Sequence, residues 1–159
     1  MRSRAFLAIG SVTILVGAAV ALAGNHAVSS AGSCNGKSPP RSVNAIQAIQ
    51  FKLMERSSFN SFDGPRVVRD LRNHRRLWCG VVMDRDDGSL LKLRDIGDNY
   101  WNVDTVYVLS SGADDVALAR LAQHWSADAR VWVSGSAAQK LLGEAGPGSH
   151  PRILEVWWD

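Results

Sequence analysis

Three groups of residues in this chain have the types and spacing that chemistry would need. The first is a set of aromatic residues in short stretches rich in β-branched residues: Tyr107 in TVYVL, Trp132 in RVWVS and Trp157 in RILEVWW. Strand alternation sets Val106 and Val108 against Tyr107, Val131 and Val133 against Trp132, and Leu154, Val156 and Trp158 against Ile153, Glu155 and Trp157. If the valines face the interior, Tyr107, Trp132 and Trp157 face outward together. Such a set is a binding platform or a subunit interface, unless N-terminal helices cover it as a second core. The second group is Arg66, Arg69, Arg72, Arg75 and Arg76, five arginines in eleven residues. They suit phosphates, an acidic glycan or a lipid head group, docking on the chain's own acidic part, or a solvated helix face. The third is the pair Cys34 and Cys79.

Signatures of catalysis and metal binding are missing. The four histidines (His26, His74, His124 and His150) share no metal-ligand spacing. There is no G-x-S-x-G, and no Gly-Lys-Ser/Thr follows the glycines of 143–148. Asp84-Arg85-Asp86-Asp87-Gly88 starts like a calcium loop, but its glycine comes one position early and no Glu closes it. Asp87-Gly88 reads instead as a hairpin turn. The expectation is a binding protein with no cofactor, not an enzyme. A small periplasmic enzyme of unknown chemistry is the weaker alternative.

The 159 residues are 46% hydrophobic and 21% charged, with a formal net charge of +3. That is ordinary globular composition and excludes a disordered, collagen-like or disulfide-dense chain. The charge is unevenly placed. Residues 1–23 have a basic start, nineteen uncharged residues from Ala5, and the small-residue site Ala21-Leu22-Ala23. This is the order of a secretory signal peptide, with an uncleaved membrane anchor as the alternative. Either way the remainder is expected to be periplasmic or secreted, and a membrane partner enters only if the segment stays. Residues 24–76 carry nine Lys/Arg and three Asp/Glu, whereas 77–159 carry seven and twelve. An acidic C-terminal part argues against nucleic acid, which wants a basic groove. In an oxidising compartment Cys34 and Cys79 are expected to form a disulfide. Two free thiols, or lipid attachment at Cys34, are the alternatives.

These residues need elements to position them. Residues 24–41, rich in Ser, Gly and Pro, read as a linker. Residues 42–76 read as a basic helical extension: a helix capped by Ser42 with Val43, Ile46, Ile49 and Leu53 at helical spacing, then a second started by Pro65. Five strands follow in 77–159, over 77–83, 90–96, 105–109, 130–134 and 152–158. A helix capped by Asp114 lies between the third and fourth. Residues 135–150 read as a long loop with at most one helical turn.

Three strands, a helix and two strands is the order of the OB-fold. The first strand's Cys79-Gly80-Val81-Val82, the second strand's closing Leu93-Arg94-Asp95, and Val131-Trp132-Val133-Ser134-Gly135 resemble exported bacterial OB-fold modules over about 77–158. The resemblance implies an α+β chain whose main part is a five-stranded Greek-key barrel. Such a barrel would bind a protein or glycan through Tyr107, Trp132 and Trp157 and through the loop residues Tyr100, Trp101 and His150. A weaker likeness to the B subunits of five-fold bacterial toxins implies, as an alternative, a glycan-binding oligomer.

Overall fold

The computed structural model describes residues 34, 42–57, 59–84, 93–98, 103–143 and 150–159. The readings for 1–23, for the linker apart from Cys34, for the turn after Asp84 and for Tyr100 and Trp101 lie outside these residues.

Two helices open the described chain, α1 (Ala45–Arg56) and α2 (Gly64–Asn73). The cap of α1 is Asn44 rather than Ser42; its side chain accepts from the Gln47 N–H at 2.8 Å. Asp63 caps α2 in the same way through the Arg66 N–H, with Pro65 in the first turn. A 3-10 turn over Arg75–Leu77 leads into β1 (Trp78–Asp84). Then come a short α3 (Leu93–Gly97), β2 (Thr105–Ser110), α4 (Asp115–Gln123), β3 (Ala129–Val133), α5 (Gly135–Leu142) and β4 (Ile153–Trp157). Asp114 caps α4, as its sequence predicts, accepting from Ala117 N–H at 2.8 Å.

The four strands form one open antiparallel sheet in the order β1-β2-β4-β3. This corrects the expected five-stranded OB barrel. Two local readings failed, for one physical reason. The alternation in LLKLRDI reads as a strand only if one side finds a core. Leu93 is 89% exposed and Ile96 is 51% exposed, so neither does, and 93–97 coil into a helical turn. Conversely, SAAQKLL is a complete helix because Ala138 finds a partner surface on the sheet. A helix lying on that face leaves the sheet flanked on both sides rather than rolled into a barrel.

The main core fills the space between α1, α2, α4 and one face of the sheet. Phe51, Met54, Val67, Val68, Leu71 and Leu118 of the helices meet Val81, Met83, Val106, Val108, Leu154 and Val156 of the strands. Three tryptophans are fully buried there, and each indole N–H has a partner, as burial requires. Trp78 donates to Leu71 O at 2.8 Å, Trp125 to the Asp70 carboxylate at 3.1 Å, and Trp158 to Trp125 O at 3.1 Å. Phe59 and Phe62, from the loop joining α1 and α2, stack on each other and meet Trp158 edge-on.

β1 is an edge strand, and its outer backbone groups are managed explicitly. Gln47 of α1 turns its amide onto the strand like one residue of a neighbouring strand. It donates to Val81 O at 2.8 Å and accepts from Val81 N–H at 2.8 Å. Two residues earlier the register is broken by an irregularity between Trp78 and Gly80, and Cys79 at that point is disulfide-bonded to Cys34. The disulfide expected between the only two cysteines is thus present. Replacing Gln47 by Leu strands two buried backbone groups. We expect a loss of about 2 kcal/mol, from the usual cost of unsatisfied buried donors and acceptors, measured by urea denaturation. An unchanged midpoint would show that water or another side chain takes over.

Candidate functional site

Antiparallel pairing places partnered residues on the same face, so the face opposite the main core can be written row by row. One row is Gly80, Leu109, Ile153 and Val133; the next is Val82, Tyr107, Glu155 and Val131; the third is Asp84, Thr105, Trp157 and Ala129. Helix α5 lies over the first row. Its Ala138 is fully buried against Tyr107 and Ile153, with Leu109 and Val133 beside them. The second row is only partly covered: Tyr107 is buried, while Val82 and Val131 are exposed.

Between α5 and the β1–β2 side of this face lies a groove of about 310 Å³. Val82, Tyr107, Leu109 and Ile153 line it from the sheet, and Leu141 and Leu142 from α5. Gln47, Gly80 and Asp84 complete the lining, with the backbone at Val81. The volume is at the lower end of the range for small-molecule sites, and an apolar lining with a few polar groups is their usual chemistry. Gly80 matters most. Its backbone does not lie in the left-handed region, and a Cβ built there would meet only Gln47 Oε1, at 4.0 Å. Neither conformation nor crowding demands glycine, and the missing side chain leaves the groove open.

The residues expected from the sequence separate. Tyr107 is in the groove, and Trp157 lies on the same face two strands from β1, half-buried. Trp132 is on the opposite face, level with Leu154, and packs at the margin of the main core. The single outward platform of Tyr107, Trp132 and Trp157 is therefore corrected. β3 enters the sheet with the opposite parity, so its valines share the Tyr107 face and Trp132 the helix face. A one-residue difference in parity exchanges the two faces, and RVWVS alone does not settle it. Trp132 carries the Arg152 guanidinium 4.6 Å from its ring centroid, and Arg152 is ion-paired with Asp115, which also accepts from the Ser110 hydroxyl. His150 is exposed at the approach to β4.

The arginines do not act as one unit either. Arg75 folds back over Trp78, 3.8 Å from its ring centroid, and donates to Trp78 O. Burial lowers its pKa below the ordinary arginine value. Arg69 and Arg72 pair with Asp70 and Glu55, both within the helical pair rather than on the sheet. Arg66 and Arg76 have no ion pair among the described residues. Among the described residues the basic extension is held by apolar packing of Val67, Val68 and Leu71, and no ion pair joins it to the acidic part.

The chain matches no family model, no curated protein and no solved structure. Nothing in these comparisons supports an OB-fold assignment. Among the described residues no group of three or more His, Cys, Asp and Glu is placed to hold a metal ion. No helix among them is long and apolar enough to cross a membrane. The disulfide is compatible with an exported chain.

The groove was missed in the sequence. Its signals were Gly80 inside an otherwise β-branched strand and the two leucines ending SAAQKLL. Neither points to a site until α5 is laid across the sheet.

Proposed function

We propose that this chain is an exported binding domain whose seat is the groove beside α5, and that it acts by binding rather than by catalysis. The observation that carries the reading is the glycine at position 80, in a strand whose local geometry would accept a side chain. Aliphatic walls from Leu109, Ile153, Leu141 and Leu142 favour a ligand with an apolar body. Gln47 and Asp84 at the margin favour a polar end that accepts or donates hydrogen bonds. A flat aromatic platform for glycans has less support, because Tyr107 and Trp132 lie on different faces.

The test uses a substitution that fills the seat without touching the core. A panel of small apolar amines, alcohols and short apolar peptides is titrated, followed by backbone amide chemical shifts. Ligands that bind should move the amides of Val82, Tyr107 and Leu142. Gly80→Leu should weaken them at least about tenfold, the effect of losing one well-filled apolar contact, while the urea midpoint stays within about 1 kcal/mol of the parent. A ligand bound equally well by Gly80→Leu, or shifts confined to other surfaces, would place the seat elsewhere.

A further inference from the structure

The helical layer carries a second surface, independent of the groove. Residues 42–76 contain seven Lys or Arg and three Asp or Glu, whereas 77–159 contain seven and twelve. The basic excess is displayed outward. On α2, Val67, Val68 and Leu71 are buried, so Arg66, Arg69 and Arg72, three residues apart, lie on the other side. The α1 helix carries a companion stripe at spacings of three and four: Ile46, Ile49, Lys52 and Arg56. Ile46 is 72% exposed and Ile49 is 55% exposed, and both basic residues are exposed with no ion pair among the described residues.

The isoleucines decide what kind of anion this surface fits. A soluble polyanion is held by phosphate, sulfate or carboxylate contacts alone and has no use for exposed aliphatic side chains. A lipid interface uses both: basic side chains meet anionic headgroups while aliphatic ones enter the acyl boundary. We propose that the outward face of α1 and α2 docks this domain on an anionic phospholipid membrane. The charge division orients it, basic helices toward the bilayer and the acidic remainder away. Most of the groove lining belongs to the sheet face opposite these helices, so a docked domain keeps the seat open.

The test is flotation of the full chain with vesicles of phosphatidylcholine alone or with phosphatidylglycerol added, at low and high salt. The readout is the ratio of binding between the two vesicle types. The apolar run of residues 5–23 and the basic start at Arg2 and Arg4 are the same in every variant, so the loss between the unaltered chain and the variants reports the helical face. Binding should depend on phosphatidylglycerol and be released by salt. The quadruple variant Lys52→Gln, Arg56→Gln, Arg66→Gln, Arg76→Gln should lose about 600-fold of the phosphatidylglycerol-dependent affinity, at roughly fivefold per basic residue. Ile46→Ser with Ile49→Ser should lose about tenfold or more. The two variants alter different residues of the same face, so the test stands even if one of them fails to fold. Equal binding to both vesicle types would overturn the proposal, as would phosphatidylglycerol binding untouched by the quadruple variant. Capture by dextran sulfate with no vesicle recruitment would assign the surface to a soluble polyanion instead.

Discussion

Gly64→Ala is expected to cost more than about 4 kcal/mol, in the range reached only by a few core mechanisms. The first residue of α2 lies directly on the end of α1. A Cβ at position 64 would stand 1.8 Å from the Met54 carbonyl oxygen, 2.7 Å from its carbonyl carbon and 3.0 Å from Phe62 Cε1. The obstacle is mostly backbone and cannot rotate away. The Met54 carbonyl also accepts the Ser57 N–H at 3.2 Å, which ends α1. Relief requires the two helices to part, and both belong to the main core: Phe51 and Met54 on one, Val67, Val68 and Leu71 on the other. Domains of this kind are stable by roughly 5–15 kcal/mol in total, so the variant should be unfolded or nearly so in mild urea. Gly97→Ala is the control, because nothing lies within 4 Å of its added Cβ; it should leave the midpoint unchanged or slightly raised. Equal midpoints for the two variants would mean that the helices do not approach as described.

Breaking the disulfide is the second large effect. Cys34 and Cys79 are 45 residues apart. In the chain-entropy account a loop of that length restricts the unfolded chain by about 4 kcal/mol. The bond ties the chain ahead of α1 to the edge strand, two residues from the backbone that Gln47 holds. Urea denaturation with and without reductant, repeated with Cys34→Ser, should show the same loss of about 4 kcal/mol in both cases. A midpoint insensitive to reductant would show that packing alone holds β1 and that the bond is dispensable. Loss on reduction but not in Cys34→Ser would trace the effect to something other than the bond.

How much of this was legible varies with the kind of information each feature needs. Asp114 ahead of α4, Pro65 in the first turn of α2 and Val106-x-Val108 in β2 are local signals, read within a few residues, and they appear where the sequence puts them. The disulfide follows from there being two cysteines and from an N-terminus that reads as an export signal. The segment over 93–97 was misread because alternation is a prediction about burial, and burial is decided by what arrives from elsewhere. The groove was invisible for the same reason: Gly80, Tyr107, Ile153 and Leu142 span more than seventy residues and come together only in the sheet.

By itself the sequence determined the basic helical start and acidic remainder, four of the strand positions, the α4 cap and the partners of the one disulfide. These rest on composition, on periodicity over a few residues and on the count of cysteines. Only the tertiary structure decided that the sheet is open, that β3 turns Trp132 toward the main core and Val131 to the Tyr107 face, and that α5 covers part of that other face. Each of those is a choice of register or of packing partner between distant segments. Local alternation serves either face equally well until the partner strand fixes the parity.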